Sequence, residues 1–229
     1  MKSIRLAFAA LACCAAFVPT AHAQWLGQDY ATYGAPLSSF GATNFLNLSV
    51  LNDAKSGATQ DRMSTLAPAV GRSTTAAELA ARYPAAQRAQ LTKVFEDSLS
   101  GFEKVSDHLR QPRDDMAVAL AAFLVGNYCA LHGQDLPSDE DFVALVHRLH
   151  ASLVASPAFK QATPAHKRQA YEQLAMVGMF MNTARMALQQ TPNPQAEGHF
   201  RDSAKANLEQ LLKVPADRIE IRGGQIALR

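Results

Sequence analysis

The chain is short of cysteine, of charge imbalance and of long apolar runs, and each shortage excludes something. Its 229 residues hold three cysteines, Cys13, Cys14 and Cys129. The first two lie in an apolar N-terminal segment, so Cys129 stands alone in the rest of the sequence and no intramolecular disulfide framework can form there. Lysine and arginine total 22 against 20 acidic residues. Such an even balance leaves no footprint for nucleic acid or an anionic membrane surface. Beyond the N-terminal segment, no unbroken apolar stretch reaches the roughly 20 residues that span a bilayer, so the body is not expected to be an integral membrane protein. Catalytic signatures are missing too: there is no G-x-S-x-G elbow, no H-E-x-x-H, no phosphate-cradling P-loop and no G-x-G-x-x-G. The sequence therefore assigns no catalytic residue and implies no cofactor.

What stands at the N-terminus is a targeting pattern. Lys2 and Arg5 open the chain, residues 6–18 form an apolar run, and the small residues Ala21 and Ala23 flank His22. A positive start, an apolar stretch too short to span a membrane and small residues at −3 and −1 describe an export signal peptide. Cleavage is expected between Ala23 and Gln24. A lipid anchor on Cys13 or Cys14 is the rival, but Ala10 before the one and Cys13 beside the other fit a lipobox poorly. Loss of Lys2 and Arg5 with the signal would leave equal numbers of basic and acidic residues. The mature chain is then expected in the periplasm or outside the cell, held together by its core alone; about 200 residues are enough for one core.

Residues 24–73 are rich in Gly, Ser, Thr, Ala and Asn and keep neither a helical nor an alternating period. Trp25, Tyr30, Tyr33, Phe40 and Phe45 argue against a wholly disordered tail. The segment reads as an irregular arm wrapped partly on the body.

Residues 74–229 read as one all-α domain, a bundle of about five to six helices with a small C-terminal hairpin docked on it. A short helix opens at Thr74. The next is entered through Pro84, which suits a first helical turn, and repeats Leu91, Val94 or Phe95, Leu99, Phe102 and Val105 at helical spacing. Residues 114–133 follow, with Asp114 as a capping residue, Asp115 at the positive helix end and Gly133 as a stop. Only Asn127 and the Tyr128 hydroxyl are polar in between, which marks a helix surrounded by others. Ser138 and Thr163 cap two further helices, Pro157 ends the first of these and Pro164 opens the second. A last helix follows Asn193. In the tail, Ile219 and Ile221 alternate with polar residues before Gly223–Gly224, and Ile226 and Leu228 alternate after it. A two-residue Gly-Gly loop predicts a hairpin over about 218–229, with Ile221 opposite Ile226 and Ile219 opposite Leu228. Such a hairpin is only marginally stable alone and must dock its apolar face.

Residues 170–188 carry four methionines, Phe180 and Gly178. Ala170, Leu174, Val177, Met181, Ala184 and Leu188 form a continuous seam, as a bundle core requires. Gly178 implies a close neighbouring backbone, with Gly126 as its expected counterpart, because glycine inside a helix costs about 1 kcal/mol relative to alanine. Met176, Met179 and Phe180 widen the apolar surface beyond the seam. They read first as core and second as a partner or ligand surface, since methionine serves both.

His147 and His150 share a helical face at a spacing that two metal ligands can use. Further ligands would have to come from elsewhere, with His166 or His132 as candidates, and a solvated or capping pair explains the same spacing. Cys129, among Tyr128, Ala130 and Leu131, reads as a buried inert thiol. Lys167, Arg168 and Glu172 read as an exposed face with an Arg168–Glu172 pair at i, i+4.

The stretches "DDMAVALAAFLVGNYCALHG", "AHKRQAYEQLAMVGMFM" and "FRDSAKANLEQLLKVPADRIEIRGGQIAL" occur in an order and spacing that resemble an exported bacterial family catalogued only as a domain of unknown function. The resemblance covers about residues 82–228 and leaves the arm outside. It implies export and one compact helical domain with a strand-like tail, and it brings no activity. The expected role is a non-catalytic binding or interaction domain for a protein or envelope component. The alternatives are a carrier of a small apolar ligand, with its cavity between the central and methionine-rich helices, and a metal-dependent enzyme around His147 and His150.

Overall fold

The computed structural model describes residues 45–46, 62–69 and 71–229. The signal segment, its cleavage point at Ala23 and Gln24, both N-terminal cysteines and most of the arm lie outside the described residues. Seven α-helices and one hairpin follow in order among those described: α1 (Thr75–Ala80), α2 (Arg88–His108), α3 (Met116–His132), α4 (Asp139–Ala155), α5 (Pro157–Gln161), α6 (Pro164–Gln190), α7 (Pro194–Leu212), β1 (Ile219–Arg222) and β2 (Gln225–Leu228). The fold is mostly helical with a small antiparallel tail, as expected. No helix among the described residues is long and apolar enough to cross a membrane.

α3 is the axis of the bundle. Every residue from Met116 to Ala130 is buried, which follows from a sequence that gives this helix no polar face. α4, α6 and α7 pack around it, and α2 packs on the far side of α6 and on α1. α7 meets α3 through a buried amide pair: Asn207 Nδ2 donates to Asn127 Oδ1 at 2.9 Å, while Asn127 Nδ2 donates to the Phe123 carbonyl at 2.8 Å. The one amide in α3 is thus satisfied inside the core rather than exposed.

The caps correct one expectation. Asp115, not Asp114, is the N-cap of α3: it is extended and accepts from the Ala117 N–H at 2.8 Å. Asp114 has φ of 63°, and its carboxylate accepts from Arg168 instead. Gly133 ends α3 with φ of 65°, and Ser138 and Thr163 cap α4 and α6 as the sequence indicates. Pro84 leads not into α2 directly but into a single 3-10 turn, Ala85–Gln87, that α2 continues. Pro157 does more than end α4. With Ser156 as cap it starts the short helix α5, which the sequence reading lacked.

α6 is buried on more than its seam. Its sixteen buried residues include Tyr171, Glu172, Gln173, Met176, Met179 and Phe180 beside the predicted Ala170, Leu174, Val177, Met181, Ala184 and Leu188. α2 covers one side, with Phe95 and Phe180 rings 5.4 Å apart and Phe102 and Tyr171 rings 5.9 Å apart. α3 covers another. Contact with two flanking helices makes α6 a second central helix.

The hairpin takes the expected register, Ile219 opposite Leu228 and Ile221 opposite Ile226. Gly223 and Gly224 have φ of 57° and 68°, the conformation a type I′ turn demands. Ile219 and Ile226 are buried, and the turn rests on α4. A Cβ on Gly224 would lie 2.5 Å from the Ala144 Cβ and 2.7 Å from the Asp141 carbonyl oxygen.

Candidate functional site

Two places gather buried polar chemistry. The first is a clasp between the segment before α1 and the body. Glu172, on the first half of α6, is 2% exposed. Its Oε2 accepts from the Ser73 hydroxyl and, at 2.6 Å, from the Thr75 hydroxyl. Its Oε1 accepts from Arg168 Nε at 2.7 Å, and Arg168 Nη1 reaches Asp114 Oδ1 at 2.6 Å. The guanidinium lies 5.1 Å from the centre of the buried Tyr171 ring. Burial holds the Tyr171 phenol well above the ordinary tyrosine range. Beside this, Thr65 donates to Asp115 at 2.9 Å and the Ala67 N–H to the Asp114 carbonyl at 2.8 Å. Glu78 in α1 accepts from Gln169 at 2.8 Å. The Arg168–Glu172 pair therefore forms as its spacing suggests, but it does not lie on an exposed face. A buried carboxylate needs donors on both oxygens, and residues some hundred positions upstream supply two of them.

Phe45 adds a hydrophobic anchor from the arm. It is buried, with its ring 5.3 Å from that of Phe159 in a T-shaped arrangement and 5.4 Å from His166.

The second place is a cleft between α3 and α6. The two helices touch at Gly126 and Gly178, where a Cβ on either residue would run into the other helix's backbone. The predicted glycine pairing is realised. Ala122, Val125 and Gly126 of α3, Gly178, Met179 and Asn182 of α6, Phe142 of α4, and Leu136 and Pro137 line a narrow cleft with room for about one water molecule. Asn182 is 2% exposed, and its Oδ1 has no hydrogen-bond partner. Its Nδ2 reaches only the Met186 sulfur, at 3.8 Å. One turn further along α6, Arg185 is 8% exposed, with Nε and Nη1 both buried and unpartnered.

The residues singled out by the sequence are distributed as follows. Met176, Met179 and Phe180 are 1%, 1% and 7% exposed, so the chain itself covers them, and Met179 alone of the three borders the cleft. His147 is exposed while His150 is buried. No group of three or more His, Cys, Asp or Glu side chains among the described residues is placed to hold a metal ion. His132 lies against Tyr128 with ring centres 4.5 Å apart and planes tilted by 54°, and His166 lies against Phe45. Cys129 is buried, and its thiol donates to the Asp135 carbonyl at 3.4 Å. Burial pushes this thiol up to about 11, with the charge of Arg185 acting the other way. That is the state of an inert cysteine.

Sequence reasoning missed Asn182 and Arg185. A signal existed: they follow Gly178 by four and seven residues, so they share the face that the glycine brings against α3.

The chain matches the model of a family of unknown function, DUF6683, over residues 52–229, and belongs to that family. No curated protein and no solved structure matches it. The match begins 30 residues before the stretch expected from sequence and takes in part of the segment first read as an arm outside the domain. The clasp gives the physical reason, because Thr65, Ser73 and Thr75 supply hydrogen bonds that the buried carboxylates of the body require.

Proposed function

We propose, for a member of a family with no assigned activity, that this chain is an exported, non-catalytic binding domain whose rigid helical body presents its N-terminal arm to a protein or envelope component. The observation that carries the reading is the clasp. The buried carboxylates of the body, Glu172 and Asp115, hold the segment that leads out of the arm, with Arg168 paired to Glu172, and Phe45 adds a second attachment. Fastening of this kind ties to the body a sequence that carries Trp25, Tyr30, Tyr33 and Phe40. Aromatic side chains are the residues that most often anchor interfaces. Export rests on Lys2, Arg5 and the Ala21–Ala23 pattern.

The test has two readouts on protein from its own host. N-terminal sequencing of the envelope fraction should give a chain beginning at Gln24; retention of Met1 in the cytoplasm would overturn export. A photo-crosslinking residue in place of Tyr33 should trap one discrete adduct that a variant lacking residues 24–44 does not form, and that excess unlabelled protein competes away. Absence of an adduct, or trapping unaffected by competitor, would overturn the arm's role.

A further inference from the structure

We propose that the outer edge of β1 recognises a second copy of this chain: two β1 strands pair antiparallel across a two-fold axis at Ile221 and join the two hairpins into one four-stranded sheet. The proposal stands independently of the arm and its partner.

The sheet has the order β1-β2, and β2 is the strand that packs on α4. β1 therefore carries the outer edge. The register decides which of its main-chain groups face outward. Arg222 and Gln225 close the two-residue turn, and hydrogen-bonded and non-hydrogen-bonded pairs alternate along an antiparallel ladder. Arg222, Glu220 and Arg218 thus turn their N–H and C=O groups toward β2, and the Arg229 N–H does donate to the Arg218 carbonyl at 2.8 Å. Ile219 and Ile221 turn theirs away. The Ile219 N–H is satisfied within the chain by the Ala216 carbonyl. Both main-chain groups of Ile221 lack a partner among the described residues. Such an edge is a template for another strand.

The side chains select that strand. With the two-fold axis at Ile221, each Ile221 N–H donates to the Ile221 carbonyl of the other copy. Glu220 then falls opposite Arg222 of the second copy, and Arg222 opposite its Glu220. These are non-hydrogen-bonded positions, where side chains come closest and opposite charges stabilise the pairing. The segment Glu220, Ile221, Arg222 is therefore complementary to itself when antiparallel. A register shifted by two residues would set Glu220 against its own copy and would call on the Ile219 N–H, which is already engaged.

The residues are ready for this. Arg222 is exposed and makes no ion pair among the described residues. Glu220 holds Arg229 at 2.7 Å in an exposed bridge, and its carboxylate keeps lone pairs for a second guanidinium. On the other face Ile219 and Ile226 are buried while Ile221 is only half-buried, so a second Ile221 completes its cover. A contact of one short strand is small, which places the dimer among weak associations. It is also closed, because a two-fold contact uses the same edge on both copies.

Sedimentation equilibrium of the purified protein tests this. A monomer–dimer equilibrium is expected, with a dissociation constant on the order of 0.1–1 mM. Glu220→Arg and Arg222→Glu each set like charges opposite one another and should weaken self-association about tenfold or more, with the far-ultraviolet spectrum unchanged. An equimolar mixture of the two variants should form a heterodimer, because each Arg of one then faces a Glu of the other. Ile221→Pro, which removes the outward N–H at an edge position that tolerates proline, should leave a monomer. The proposal is overturned by a protein that stays monomeric at 1 mM, by a dimer that neither charge variant weakens, or by a mixture that associates no better than its components. A dimer lost on removal of residues 24–44 would assign association to the arm and overturn it equally.

Discussion

Gly126 and Gly178 meet backbone to backbone where α3 crosses α6, and neither has room for a side chain. A Cβ on Gly178 would sit 2.6 Å from both the Ala122 carbonyl carbon and the Phe123 nitrogen. These are main-chain atoms of a buried helix, which cannot swing aside as the end of a flexible side chain can. Helix propensity favours Ala over Gly by about 1 kcal/mol, whereas forcing a methyl into a packed core costs about 1–3 kcal/mol and occasionally more. Here the clash wins. Gly178→Ala should lower the denaturation midpoint in urea. Gly198→Ala, at an exposed position of α7 with nothing within 4 Å of the added Cβ, should raise it, with a stability gain of up to about 1 kcal/mol. Stabilisation by both would disprove the close crossing.

Glu172 should be the costliest charge to neutralise. Glu172→Gln leaves the Arg168 guanidinium without its charged partner and turns one acceptor oxygen into a donor that faces hydroxyls. Breaking a buried pair from one side costs about 3–5 kcal/mol. The loss should appear first as faster hydrogen exchange at the Ala67 amide, which donates to the Asp114 carbonyl, and as new protease cleavage between residues 62 and 74. Global melting with the strap still protected would show that the clasp and the core are one unit.

Cys129 predicts an alkaline limb in stability. Its thiol titrates near 9.0 without the fold and is pushed up to about 11 within it. Above pH 9 the unfolded chain loses this proton while the folded chain keeps it, so the unfolded state is favoured and stability falls as pH rises from about 9 to 11. Two units correspond to about 2–3 kcal/mol. Cys129→Ala should flatten the stability profile over that window relative to the wild type. In the native state at pH 8 the thiol should resist alkylation and react only on unfolding.

The two hairpin glycines should differ in tolerance. Both have positive φ, a conformation that asparagine also adopts. A Cβ on Gly223 meets nothing within 4 Å, whereas one on Gly224 strikes α4 at Ala144 and Asp141. Gly223→Asn should stay within about 1 kcal/mol of wild type. Gly224→Asn should undock the hairpin, seen as loss of amide protection at Ile226 and Leu228. Equal effects would mean that the turn, not its seat on α4, sets the stability.

Much of the architecture was legible because it rests on local rules. Capping residues, prolines and glycines mark helix ends through backbone geometry, so Ser138, Thr163, Pro164 and Gly133 could be placed in advance. The even spacing of Ile219, Ile221, Ile226 and Leu228 around Gly-Gly fixed the hairpin register, because the side-chain period of a strand is two. The all-apolar α3 announced its central place. Asp114 and Asp115 show where local rules stop. Both residue types can cap, and only the path of the preceding turn decides which one does.

The candidate site was legible only in part. Gly178 pointed to a close crossing, but the cleft beside it needs Phe142 from α4 and Leu136 and Pro137 from the connecting loop, which no spacing within α6 reveals. Asn182 and Arg185 would be unremarkable on an exposed face. Burial makes them costly, and burial is decided by neighbours.

The sequence by itself determined every helix but the short α5, most of their ends, the hairpin register and the glycine contact, since each depends on residues close along the chain or on a periodic face. Only the tertiary structure decided that Glu172 lies inside rather than outside, that the segment before α1 packs on the body, and that Arg185 is buried with Nε and Nη1 unpartnered. These depend on desolvation, which is fixed by what packs over a group. For Glu172 the covering partners come from about a hundred residues away in the chain.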